Sequence, residues 1–413
     1  MRIRRRKMVS GDGYRQRPRQ ESMERMMRTT KKRATGRKIV VDAAARLERL
    51  VRRLEEFGEL RTEWREAFLA VPRHVFIPEV VWRSDPEGGR CLVPLSRADD
   101  PVAWLKQAYA RQAVVTQVDD GEPRDGRGRK VTSSASDPRV VGLMLAALDA
   151  QPGDRVLEIG TGTGYNAALL AHRLGAQHIT TIEVDARIAD HARAALRTAG
   201  FEAVSVLTGD GHRGCPGRAP FDRVISTAAA YQVPYAWIAQ TRAGGRVLTP
   251  WANAYHDGLL SLTVCGQGTA IGGLVGEVAF MPLREQRPPP AYRPDEDEHD
   301  QAALTWTDLH PHHVAGIFDA SMAISMRVLD CRTSHYPQGQ GAGTLWLLDP
   351  TSQSWASLRY APQSRPFAVR QAGPRHLWDE VETAYHWWEE HGKPAAARWR
   401  FTISPDEQRI ELT

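Results

Sequence analysis

Nine residues, Glu158-Ile-Gly-Thr-Gly-Thr-Gly-Tyr-Asn166, constrain the fold of this chain more than any other stretch. They follow Arg155-Val-Leu157, an apolar run that reads as a buried strand. They precede Ala167-Ala-Leu-Leu-Ala171, which reads as the start of a helix. Strand, glycine turn and helix form the layout of a nucleotide-type site in an α/β sheet. Glycine is needed in such a turn because a Cβ would block both the tight bend and the approach of a ligand to the backbone. A dinucleotide fingerprint would need Gly160, Gly162 and a small residue at 165, but Tyr165 stands there. The glycines fall at 160, 162 and 164, with an acid two residues before the first.

That pattern resembles motif I of class I S-adenosylmethionine (SAM) methyltransferases. The resemblance implies a Rossmann-like, doubly wound α/β sheet with SAM as cofactor. The downstream order agrees. Ile179-Thr-Thr-Ile182 reads as a second strand ending at Glu183. An acid about twenty residues past the glycine turn can accept hydrogen bonds from both ribose hydroxyls. A helix follows from Arg187 to Ala199. Ser205-Val-Leu-Thr208 is a third strand, ending in Gly209-Asp210-Gly211, and Phe221 to Ile225 is a fourth. A fifth runs over Gly244 to Thr249. By resemblance, Asp210 stands where such enzymes bind the adenine amino group. The implied cofactor set is Glu158, Gly160, Thr161, Gly162, Gly164, Tyr165, Asn166, Glu183, Val184, Gly209, Asp210, Gly211 and Thr227. Solvated loop acids are the alternative reading of Glu183 and Asp210.

At 413 residues the chain has room for about two or three domains and a large core. Its apolar runs fall short of the roughly eighteen residues of a membrane span, and the basic N-terminus carries no apolar signal-peptide core. Cys91, Cys215, Cys265 and Cys331 lie far apart, without metal-type pairing, which suits reduced thiols in a cytoplasm. The net charge of +6 is unevenly spread: residues 1–38 hold fifteen Lys/Arg and three Asp/Glu, a net +12, so the remainder carries −6. The composition of 1–38 predicts a disordered basic tail. Either it contacts nucleic acid or acidic peptides, or it only solubilises; the second reading is favoured.

Residues 39–136 are expected to be helical, with a substrate loop. Val41, Ala44, Leu47, Leu50, Val51 and Leu54 keep helical spacing, Thr62 to Leu69 reads as a second helix, and the Gly/Asp/Arg-rich stretch 116–130 reads as a long loop. The methyltransferase domain spans 137–283. A proline-rich and acidic linker covers 284–302, and a small α+β domain covers 303–413. In that last part, strand-like runs occur at Met322 to Leu329, Thr344 to Leu348, Trp355 to Tyr360 and Arg398 to Ile403. A helix is predicted over Arg375 to Glu390. Seven of the twelve tryptophans fall there, which suits a recognition surface or a core. Trp387 and Trp388 are adjacent, so one helix face cannot bury both. His310, His312 and His313 read as ordinary polar histidines, and no metal is expected.

Three further segments are similar to the protein-L-isoaspartate O-methyltransferase family. They are Ala67-Phe-Leu-Ala-Val-Pro-Arg-His-Val-Phe-Ile-Pro-Glu79, Thr132-Ser-Ser-Ala-Ser-Asp-Pro138 one helix before motif I, and Ser226-Thr-Ala-Ala-Ala230 with Val233-Pro234. The resemblance covers roughly residues 60 to 255. The segment 132–138 departs from the repair-enzyme pattern by its extra Ser133 and by Asp137 before the proline. With residues 114–121 and the large C-terminal part, these departures resemble the homologues that act on ribosomally made, modified peptides (lanthipeptides, graspetides, lasso peptides). That resemblance implies methylation of an aspartate in a constrained precursor peptide, followed by closure to an aspartimide.

A carboxylate, with a pKa near 4, is already ionised at neutral pH. It can attack a sulfonium methyl without a general base. Catalysis then needs alignment, and neutral donors rather than a fixed cation that would over-stabilise the ground state. Ser136 is the first choice, supported by Ser134 and Thr132; helix capping is the competing role. The expected activity is therefore SAM-dependent esterification of an aspartyl or isoaspartyl carboxylate in a peptide precursor. The alternatives are general isoaspartyl repair, RNA methylation, for which no signature appears, and an inactive SAM-fold scaffold. Neither a membrane nor a nucleic-acid partner is expected, and the oligomeric state stays open.

Overall fold

The computed structural model describes residues 42–413 apart from Arg90, Ala291 and Gln363, so the basic tail expected at 1–38 lies outside the described residues. A nine-stranded sheet forms the centre. Its strands, numbered along the chain, are β1 (Val156–Ile159), β2 (Ile179–Glu183), β3 (Ser205–Thr208), β4 (Phe221–Ser226), β5 (Thr241–Ala252), β6 (Asp257–Val264), β7 (Ala270–Gly276), β8 (Trp399–Ile403) and β9 (Gln408–Leu412). The spatial order is β9-β8-β7-β6-β5-β4-β1-β2-β3. Strands β3, β2, β1, β4 and β5 run parallel, and β6 to β9 add antiparallel pairs.

Every residue of β1 and β2 is buried, as befits parallel strands covered on both faces. The covering helices follow from local sequence. Helix Tyr165–Leu174 starts at Gly164, whose φ of +85° turns the chain out of the sheet. Helix Ala186–Thr198 is capped by Asp185, which accepts from the Arg187 and Ile188 amides, and it buries Ala189, Ala192, Ala195 and Leu196 along one stripe. Helix Pro138–Leu148 is capped by Asp137 with proline in its first turn. Chain order reverses around β1, which has β2 on one side and β4 on the other. Ligands of open α/β sheets bind at the carboxyl ends of strands at such a switch point.

The N-terminal part differs from the expected mostly helical region. Helices 42–56, Thr62–Ala70 and Pro101–Ala108 are joined by a four-stranded antiparallel sheet in the order Leu92–Ser96, Val80–Ser84, Val114–Val118, Val131–Ala135. The stretch 116–130 is thus mainly a hairpin connection rather than a free loop. Its polar composition masks the short strands at either end, and Asp119, Asp120 and Gly121 make the turn with positive φ. The Ser/Thr-rich segment before Pro138 is itself the last strand of this sheet.

The expected domain boundary at 303 also needs correction. A second, antiparallel sheet does form there, in the order Ala303–Thr307, Phe367–Ala372, Trp355–Tyr360, Ala342–Leu348, Arg332–Gly339, packed by helices Phe318–Ser325 and Leu377–Glu390. Residues 322–325 are helical, not extended. Met322, Ala323 and Ile324 are wholly buried, and periodicity cannot separate helix from strand in a short apolar run buried all round. Of the adjacent tryptophans, Trp388 is buried and Trp387 half-buried beneath Arg327. After this module the chain returns to the central sheet as β8 and β9, with Ile271 paired to Thr402. The linker announces the module in the sequence, but nothing comparable marks its exit near 392–398.

Phe401 on β8 is fully buried and meets Trp251 of β5 edge-on, ring centres 5.1 Å apart. Phe401→Ala is expected to destabilise the whole methyltransferase sheet by roughly 3–5 kcal/mol. Urea denaturation followed by far-UV circular dichroism measures this. Loss confined to the C-terminal module, with the central sheet unaffected, would contradict the shared core.

Candidate functional site

A cavity of about 450 Å³ lies at the carboxyl ends of β1, β2 and β4. One wall is the glycine loop. Gly160, Gly162 and Gly164 have φ of +86°, +52° and +85°. A Cβ on Gly160 would sit 2.8 Å from the Thr227 hydroxyl, which itself donates to the Gly160 carbonyl at 2.5 Å. The loop is therefore both left-handed and closely backed, which only glycine satisfies. Glu158 is fully buried beneath it, accepting from the Thr181 hydroxyl (2.6 Å) and the Asn166 side-chain amide (2.7 Å). Burial lifts its carboxyl to a pKa of about 7. Thr161 shares its hydroxyl hydrogen bond with Thr181 at 2.7 Å.

Glu183, at the end of β2, accepts one bond on each oxygen, from the Gly162 amide at 2.9 Å and the Asp185 amide at 3.1 Å. A carboxylate has about four lone-pair sites, so each oxygen keeps one for a ribose hydroxyl. Burial raises the Glu183 pKa. Asp210, past β3, caps its own turn by accepting from the His212 amide at 2.9 Å. Tyr165 lines the cavity, and its buried hydroxyl has no partner among the described residues. Val184 and Gly211 also line the space. Gly164 and Gly209 stand behind it, the first packed on Ala192 and the second donating its amide to the Glu183 carbonyl at 2.9 Å.

The facing wall is the strand Val131–Ala135 with Ser136. The Ser134 carbonyl lies 3.9 Å from where a Gly162 Cβ would be, so this strand abuts the glycine loop. Ser134 and Ser136 line the cavity, and their hydroxyls have no partner among the described residues. Thr132 is committed elsewhere. Its hydroxyl donates to the Gln117 side-chain carbonyl at 2.9 Å and accepts from the Asp120 amide at 3.0 Å, so it holds the hairpin rather than a substrate. The helix cap falls to Asp137, which leaves Ser136 uncommitted.

Several residues of the site are not singled out in the sequence, although Arg73 lies within the family-like segment 67–79. Arg73 is wholly buried and donates to the carbonyls of Ala108 (2.7 Å), Ala135 (3.2 Å) and Ser136 (2.8 Å), fixing the end of the hydroxyl-bearing strand. Burial lowers its pKa. Phe280, Met281, Pro282 and Leu283 form a third wall. Just past it, Arg287 binds both oxygens of Asp120 (3.0 and 2.8 Å), and Arg284 lies 3.7 Å from both Asp120 and Asp185. These arginines tie the hairpin tip to the segment that lines the cavity, and Arg287 holds Asp120 below the usual carboxylate range. Periodicity marks none of them, since each acts as a single long side chain crossing between segments.

The glycine cradle and the acids at successive strand ends together fit SAM, and this is a class I SAM-dependent methyltransferase fold. Residues 106–288 match the family model "Protein-L-isoaspartate(D-aspartate) O-methyltransferase (PCMT)". A protein-L-isoaspartate O-methyltransferase of Ignicoccus hospitalis is 33% identical over 240 residues, 57% of this chain and 96% of that protein. One of Methylorubrum extorquens is 42% identical over 195 residues, 46% of this chain and 84% of that protein. The chain belongs to the protein-L-isoaspartate (D-aspartate) O-methyltransferase family. A solved protein-L-isoaspartate O-methyltransferase superposes with a TM-score of 0.50 at 20% identity, covering 89% of this chain and 99% of its own. The Ignicoccus hospitalis protein is matched over 96% of its length by 57% of this chain, in line with the expectation that such relatives lack most of the C-terminal part.

The cradle makes a specific demand. Gly160→Ala is expected to weaken S-adenosylhomocysteine binding at least about tenfold, some 1.4 kcal/mol, read by calorimetry. Gly153→Ala is the control. Gly153 has a similar φ of +88° but open space around it, so it should share the backbone strain and keep the affinity.

Proposed function

We propose that this chain esterifies the free carboxylate of L-isoaspartyl residues in polypeptides, as a repair-type carboxyl O-methyltransferase. The reading rests above all on the two unpartnered hydroxyls, Ser134 and Ser136, on a wall that abuts the cofactor loop. They can donate hydrogen bonds to an acceptor carboxylate without adding a fixed charge that would hold it in the ground state. The relatives, whose names give this activity, match over nearly their whole length. Bound SAM supplies an electrophilic methyl group on a sulfonium. Glu158, Glu183 and Asp210 would hold its polar groups, the glycine loop would admit it to the backbone, and Arg73 keeps Ser136 in place.

Methylation of an ordinary aspartate in a constrained, ribosomally made precursor uses the same wall and the same chemistry. It has less support, because the relatives matched over nearly their whole length are named for isoaspartyl methylation. Paired peptides differing only in aspartyl or isoaspartyl linkage separate the two readings. Mass spectrometry should find a methyl gained on the isoaspartyl peptide, and Ser136→Ala should lower kcat about tenfold or more, the scale of a lost donor hydrogen bond. Methylation confined to aspartate in a cyclised precursor would reverse the assignment.

The buried acid adds a pH signature. With its carboxyl near 7 in the unliganded cavity, Glu158 is largely protonated in mild acid. A cationic cofactor favours the ionised form. SAM affinity should therefore be full above pH 7 and fall by up to about tenfold per pH unit below it. Titration calorimetry between pH 5.5 and 8.5 tests this, and Glu158→Gln should flatten the profile.

A further inference from the structure

Strand Ala303–Thr307 ends the C-terminal sheet, with Phe367–Ala372 on its inner side and no described strand on its outer side. Ala303, Leu304, Thr305 and Trp306 are all exposed, Leu304 at 47% and Trp306 at 61%. Soluble proteins usually protect such an edge with a lysine, a proline or an inward charge. This strand, Ala-Leu-Thr-Trp-Thr, has none of them.

The register places an acidic surface beside it. Leu304 pairs with Arg370, which pairs with Ser357 on the next strand. Directly opposed residues share a face, so these three form one row. The Ser357 hydroxyl lies 2.9 Å from His299 Nε2, which puts helix Glu296–Gln301 on the same face as Leu304 and Trp306. Asp295, Glu296, Asp297, Glu298 and Asp300 are exposed along that helix. Of the basic groups on this face, Arg370 is occupied by the Asp300 and Ala302 carbonyls at 2.8 and 3.2 Å, Arg293 bonds Ser334 and lies over Trp346, and Arg332, on the far edge strand, bonds the Pro289 carbonyl. Arg359, in the row of Trp306 and Ala368, is exposed but lies two strands inward.

We propose that this edge binds an extended, positively charged polypeptide segment as an added β-strand. Main-chain hydrogen bonds to the free edge bind without regard to sequence, Leu304 and Trp306 cover the incoming apolar side chains, and the carboxylates select lysine and arginine. A second copy of this chain would bring another set of five carboxylates to the same face, so charge favours a basic partner over self-pairing. The surface uses no residue of the cofactor cavity, so it stands or falls separately from the acceptor assignment.

The probe is a fluorescently labelled peptide of alternating valine and threonine flanked by lysines, titrated with the full chain and followed by anisotropy. Binding should weaken about tenfold or more when glutamates replace the lysines, when a proline interrupts the strand, or in Leu304→Lys and Trp306→Ser. Both variants alter exposed side chains outside the cavity, so methylation of a short isoaspartyl peptide should be unchanged. Equal binding of the lysine and glutamate peptides, or undiminished binding in both variants, would overturn the proposal. So would a concentration-dependent dimer, seen by sedimentation, that Leu304→Lys abolishes.

Discussion

The site depends on one buried cation. The Arg73 guanidinium gathers the end of helix Pro101–Ala108 and the end of strand Val131–Ala135 onto the single turn Arg73–Val75. Three segments distant in sequence thereby acquire fixed relative positions. Among the described residues no carboxylate forms an ion pair with Arg73, and its hydrogen bonds go to backbone carbonyls. A buried charge is a costly way to join segments, and an apolar side chain of similar volume would often be less so. A guanidinium, however, presents several donors in one rigid plane, and can hold carbonyls from two separate segments at once. The hydroxyl wall opposite the cofactor loop is positioned by this plane.

The other wall follows from topology. Chain order reverses at β1, so the carboxyl ends of β1 and β4 diverge and open a crevice. The glycine loop fills its base, closely backed by Thr227 at the end of β4. Glu183 acts in two directions: it ties the Gly162 amide to the end of β2 and retains lone pairs toward the cavity. Loop shape and cofactor acid are thus set by the same carboxylate.

The parallel half of the sheet is legible in the sequence because its signals are local. Glu183 ends β2, Glu158 lies one residue before the end of β1 and Asp210 two past the end of β3, close to where glycine turns and apolar runs place them, and β3 has the predicted bounds. Long-range decisions are not legible. Thr132 looks equivalent to Ser134 and Ser136 in the linear segment. Only the hairpin register, which brings Gln117 and Asp120 to it, uses up its hydroxyl. Arg284 and Arg287 sit in what reads as the start of a linker, and only the fold sets them opposite Asp120. The strands β8 and β9 have ordinary alternating sequences that would suit either sheet. The pairing of β8 with β7 rests on a neighbour more than a hundred residues earlier.

That pairing makes the C-terminal module an insertion rather than an appendage. The chain leaves the central sheet after β7, builds five strands and their helices, and comes back to complete the same sheet with β8 and β9. A module hung on a chain end can be acquired or shed by one recombination event. One sewn between two strands of a shared sheet needs two breakpoints, both in register with the host. The host in turn cannot finish its own sheet until the insert has been synthesised, so the two are bound to a common folding schedule.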